Sequence, residues 1–239
     1  MRTALTIASR ELGSYFRTPA GWVIVALYLF LAGVVFTLSV FMPGRPASLR
    51  DFFAVSGWLL LPVAPAISMR LIAEELRSGT IEPLMTSPVG SASLVLGKFA
   101  GACVFMLAML APTAAYVIIL YRTADPAPDP GPIAAGYLCL ALVGCLSLSI
   151  GTLASALTSN ATLAFMMTLF GLLGLLFVPA AAPFAPAAIR PALMALAVTP
   201  RIGDFAKGVV DTAHVAFFLG ASAWFLLLAV AAVEVRRWR

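Results

Sequence analysis

Charge is scarce in this chain. Only 10% of its 239 residues are Asp, Glu, Lys or Arg, against 62% that are hydrophobic. An average soluble domain carries about 25% charged and 45–50% apolar residues. No block of mixed polarity is long enough to fold as a soluble catalytic domain, so the composition is that of a membrane protein. Histidine occurs once, at His214, and cysteine three times, at Cys103, Cys139 and Cys145, all inside apolar runs and without CxxC or Cys/His spacing. That set composes no metal site, so the cysteines read as small core hydrophobes and His214 is given no role. Ser and Thr are plentiful in the apolar runs, but no His, Lys or Asp stands beside them to activate a nucleophile, which argues against an intramembrane protease or acyltransferase.

Charge is also missing from the middles of the apolar runs. Ion-coupled carriers keep acids or histidines there despite a cost of about 2.5–3.5 kcal/mol for a central charge. No convincing internal repeat is present either, so a secondary carrier is disfavoured. If this protein moves something, the energy comes from outside the bundle. Nor does the chain bind a nucleotide: Gly97-Lys98 suggests a phosphate loop, but Ala92 and Phe99 stand where that motif needs Gly and Ser or Thr. Lys98 reads instead as an interfacial anchor at the end of the third run.

What is present is helix-forming apolar sequence. The expected fold is an all-α integral membrane protein with transmembrane helices at 22–42, 52–69, 99–120, 133–157, 161–178 and 213–233, each long enough at 1.5 Å per residue to cross a hydrocarbon core of about 30 Å. The first run begins too late and is too long for a signal peptide, and is taken as a retained span. Before it, residues 1–19 predict an amphipathic interfacial helix, with Leu5, Ala8, Leu12 and Phe16 at helical spacing and Tyr15, Phe16 and Trp22 as an aromatic belt. Pro62 and Pro65 are expected to kink the second span, and Pro112 interrupts the third. In the fourth, Gly136, Gly144, Ser147, Ser149, Gly151 and Ser155 would let a neighbouring helix approach closely. A tight hairpin at Thr158–Asn160 joins spans four and five.

Residues 179–211 predict short helices at the outer surface or dipping into it. Thr199-Pro200 resembles a helix start, after which Arg201, Asp204 and Lys207 fall at i, i+3, i+6 and can pair along one face, with Asp211 closing the segment. Nine basic residues (Arg2, Arg10, Arg17, Arg70, Arg77, Lys98, Arg236, Arg237 and Arg239) lie on the side of the termini, against six opposite. By the positive-inside rule both termini are cytoplasmic, and the net charge of +5 is matched by anionic membrane lipid with no need of nucleic acid.

One polar island breaks the pattern. Residues 70–98 form the largest cytoplasmic stretch and carry Arg70, Glu74, Glu75, Arg77 and Glu82. Residues 70–77 extend span two, Gly79-Thr80 supplies a break and a cap, and Leu84 and Met85 belong to a second short segment returning to span three. Two readings are open at this level. The charges are solvated on an amphipathic re-entry helix, or they set the register of a protruding elbow inserted into a partner.

The stretch AEELRSGTIEPLMTSPVGSASLVLGK resembles the cytoplasmic elbow of ABC-2 exporter permeases. The matching residues are Glu74-Glu75, Gly79-Thr80-Ile81-Glu82, Leu84, Ser87-Pro88 and Gly97-Lys98. Arg10-Glu11-Leu12, the segment PRIGDFAKGVVD and Arg236-Arg237-Trp238 are similar to the gliding-motility-type branch. Two residues depart from it: Pro83 stands between Glu82 and Leu84, and Gly203 stands where that branch often has histidine. The resemblance implies a non-catalytic six-helix permease of the bacterial inner membrane, dimerising with a second permease subunit and docking on a separate ATPase that binds ATP and Mg, with an accessory extracytoplasmic protein as a further partner. Glu74, Glu75, Arg77, Gly79, Thr80, Glu82, Leu84 and Pro88 would form the ATPase-coupling interface, and the chain itself would hold no cofactor. The alternative is a membrane scaffold that assembles other proteins and transports nothing.

Overall fold

The computed structural model describes residues 2–40, 48–79, 90–124 and 128–237. Among them every regular element is helical. In chain order these are α1 (Arg2–Arg17), α2 (Pro19–Val40), α3 (Arg50–Ser68), α4 (Ala73–Ser78), α5 (Ser91–Leu110), α6 (Ala114–Thr123), α7 (Pro130–Leu157), α8 (Ala161–Ala181), α9 (Arg190–Leu196), α10 (Thr199–Ala206) and α11 (Thr212–Arg237). Among the described residues six stretches are long and apolar enough to cross a membrane, as expected.

Their limits follow local chemistry. Pro19, with its missing N–H and fixed φ, opens α2. The third span begins at Ser91, earlier than the expected Phe99, and runs to Thr123 through one 3-10 turn, Ala111–Thr113, around Pro112. Lys98 does not stop it because, as described below, its charge is matched inside the protein. Asp129 caps α7 by accepting from the Gly131 amide at 3.0 Å, and Asn160 caps α8 by accepting from the Thr162 amide at 2.9 Å, making the predicted hairpin.

The centre of the bundle is α7, which packs against α3, α5, α8, α10 and α11. The reason is its small residues. A Cβ at Gly136 would run into the Phe53 ring, one at Gly144 into the Met106 sulfur, and one at Gly151 into Ser68, so α3 and α5 approach α7 where it has no side chain. By contrast α2, α8 and α11 leave Phe30, Phe170 and Trp224 facing outward, the pattern of helices at a lipid boundary.

Beyond α8, the chain turns through a 3-10 segment, Ala182–Phe184, into α9 and α10. Thr199 begins α10 but does not cap it: its hydroxyl donates to the Leu176 carbonyl at 3.3 Å and pins α10 onto α8. The expected Arg201–Asp204 pair is replaced as well. Arg201 lies 3.6 Å over the Phe217 ring and donates to the Ala195 and Ala197 carbonyls at 2.6 and 3.1 Å, a use of the flat guanidinium that removes three loose ends at once. Asp204 approaches Lys207 at 3.8 Å and His214 at 3.9 Å, while Asp211 accepts from the Ala213 amide at 2.8 Å and starts α11.

Candidate coupling site

In the described part of the polar island, Ala73–Ser78 folds as a short helix braced from three sides. Ser155, on α7, supplies the brace at its start. Its hydroxyl oxygen accepts from the Ile72 and Ala73 amides at 3.0 and 2.9 Å and donates to the Met69 carbonyl at 3.2 Å. These amides are among those a helix N-terminus leaves without a partner of its own. Leu71, Ile72 and Ala73 are fully buried, so Ser155 acts as a cap delivered from another helix. Gly79, at φ 71°, ends α4 in the left-handed region where the sequence places its corner.

The second brace is ionic. Lys98, on α5, is only 3% exposed. Its Nζ lies 2.9 Å from Glu75 Oε1 of α4 and 3.2 Å from Glu11 Oε2 of α1, and Arg10 reaches Glu75 Oε1 at 3.7 Å from the surface. Three helices therefore meet on one ammonium. Lys98 is thus not the interfacial anchor expected from its position; two carboxylates hold it inside, and charge-assisted bonds offset its desolvation. Glu75 Oε2 is buried and takes no hydrogen bond.

The third brace is α1 itself. A Cβ at Gly97 would come within 2.8 Å of the Ala4 carbonyl, and one at Gly101 within 2.8 Å of Glu11 Cβ, so α1 lies directly on the backbone of α5. Tyr15 donates to the Ile67 carbonyl at 2.8 Å and stacks on Phe105 at 4.5 Å. Burial pushes its phenol well above the ordinary range, with Glu11 and Cys103 acting in the same direction. The docked face is therefore that of Ala4, Ile7, Ala8, Glu11 and Tyr15, whereas Leu5 from the expected apolar stripe is 69% exposed.

Of the predicted elbow residues, Glu74, Arg77 and Gly79 are exposed and Glu75 turns inward. Thr80, Glu82, Leu84 and Pro88 lie outside the described residues. Glu11, Lys98 and Ser155 are the residues whose place in this joint the sequence reading did not foresee. The signal was available in the motif Gly97-Lys98, whose glycine is the seat of α1 and whose lysine is the shared cation. At the same end of the bundle Ser91 bonds Glu234, and Arg236 donates to the Leu157 carbonyl at 2.8 Å, tying α11 to α5 and α7. Among the described residues no three His, Cys, Asp or Glu side chains converge as a metal site would require.

An all-helical bundle with six apolar spans among the described residues defines a multi-pass membrane protein. The sequence profile described as "ABC-2 family transporter protein" matches residues 5–207. The chain belongs to that family and is a membrane transport subunit. No curated protein matches it at a significant level.

Proposed function

We propose that this permease draws its energy from a separate ATPase that docks on the elbow, with both termini and the elbow in the cytoplasm of a bacterium and the spans in its inner membrane. ATP and Mg bind in that partner chain. The observation that carries the reading is the buried Lys98, which joins α1, α4 and α5 through Glu11 and Glu75. A push on the exposed side of α4 is delivered through this joint to span three and through Ser155 to the central helix α7. A stiff joint is what a docking element needs if it is to move spans and not merely bend.

Division of labour within the elbow supports the same view. Glu74 and Arg77 face outward and are available to a partner, while Glu75 is spent on the internal joint. A second permease subunit would complete the transport path along the outward apolar faces, and the segment 179–211 would meet an accessory extracytoplasmic protein. The test is to look for an ATPase with a phosphate-binding loop in the neighbouring reading frames and to co-express it with this chain. Glu74→Lys should abolish the permease's stimulation of ATP hydrolysis while membrane insertion stays normal; undiminished stimulation would sink the proposal.

A further inference from the structure

Between α3, α7, α8 and α10, in the half of the bundle away from the elbow, lies a cavity of about 180 Å³. Its walls include Ala54, Trp58, Leu146, Leu175 and Ile202, and its two hydroxyl groups are already committed within the protein. Ser147 donates to the Val143 carbonyl at 2.8 Å and Thr199 to the Leu176 carbonyl at 3.3 Å. The two hydroxyl protons are thus spent and the Trp58 indole N–H is the one further side-chain donor among the lining residues, too few polar partners to hold ordered water, and an apolar cavity of roughly 150 Å³ stays dry and takes hydrocarbon. An empty space of this size forfeits the dispersion contacts of every side chain around it. Trp58 is 48% exposed, so the space connects with the outside of the chain at the depth of the spans, where the surrounding solvent is lipid.

We propose that this cavity is a lipid site, taking the end of one acyl chain of a phospholipid from the leaflet away from the elbow. The ligand chemistry is an unbranched alkyl chain, and its source is the bilayer. Its placement gives it a consequence: Ile202 and Gly203 of α10 form one wall, so the chain end would fill the space under α10 and seat it on α3 and α8. The inference goes beyond the ATPase-coupling reading and needs only the permease chain.

The experiment uses the full chain reconstituted in phosphatidylethanolamine–phosphatidylglycerol vesicles containing a phospholipid with a diazirine at the end of one acyl chain. After irradiation, labelled peptides are mapped by mass spectrometry. Wild type should carry label on peptides containing Trp58, Leu175 or Ile202. In Gly203→Leu this label should fall about tenfold, the change expected for a loss of about 1.4 kcal/mol in occupancy. A Cβ at Gly203 meets nothing within 4 Å, so the new side chain enters open space. Ala54→Leu fills the cavity from the opposite wall and should give the same loss. Label on the outward residues of α2, such as Phe30 and Leu38, should be unchanged in both variants and verifies insertion. Label confined to α2, as when a second copy or a transported molecule occupies the cavity, would overturn the proposal, and so would equal cavity label in wild type and both variants.

Discussion

Replacing Lys98 by Met tests the joint that holds the elbow. The substitution keeps much of the side-chain volume and removes the charge. Glu11 and Glu75 each lie within 3.2 Å of Nζ, so their contacting oxygens are no more than about 6 Å apart. Without the ammonium they repel by about 3 kcal/mol at an effective dielectric constant of about 20, and with the lost attraction the cost falls in the range of about 3–5 kcal/mol found when a buried ion pair loses one partner. For a chain of this length that corresponds to a fall in Tm of about 6–20 °C, read in detergent by intrinsic fluorescence or a thiol-reactive dye. Adding Glu11→Gln and Glu75→Gln to Lys98→Met removes the stranded charges, and the triple variant should recover most of the loss. A fall below about 2 °C for the single variant, or a triple variant no more stable than the single, would refute the argument that the ammonium and the two acids act as one unit.

Three further outcomes follow from the same end of the bundle. Ser155→Ala leaves the Ile72 and Ala73 amides without their acceptor and should cost about 1–3 kcal/mol, seen as faster hydrogen exchange confined to residues 69–76 in a fragment-resolved measurement. Gly101→Leu drives a side chain into Glu11 and the Ala8 carbonyl and should destabilise by about 1–3 kcal/mol or more; spin labels on α1 and α5 should report the two helices moving apart. Gly79→Ala forces a Cβ at φ 71° and should cost about 1–2 kcal/mol without altering the distance between Lys98 and Glu11, since the strain is confined to the corner.

The spans were legible because hydrocarbon thickness imposes a length and an apolar composition on each one, and both can be counted along the chain. The corner at Gly79 and the close approach along α7 were legible for a related reason: a missing Cβ has a local meaning whatever lies beside it. The ionic joint was not, because a lysine that reaches outward to lipid phosphate and one that pairs inside the protein occupy the same place in sequence, near the end of an apolar run. Only the fold brings Glu11 to Lys98. The same limit hid Glu11, a charged residue that turns inward beside Ala8 and Leu12 of the apolar stripe, and the partner of Arg201, where a ring on α11 and two carbonyls replace the acid three residues away.

The seating of α1 on Gly97 and Gly101 of α5 joins two helices that are made at different times. Glu11 and Lys98 are separated by 87 residues, so at about 5–20 residues per second the N-terminal helix exists for roughly 4–17 s before the surface that receives it has been made. During that interval its acid has no cation. Lys98 in turn enters with helix α5 as an unpaired charge if it arrives alone, and at a lower cost if α1 already lies along the membrane surface with Glu11 ready to meet it. Helix α1, made before α5, would thus act as a waiting cradle for the third span, and deleting it should show first as a defect in the insertion of α5.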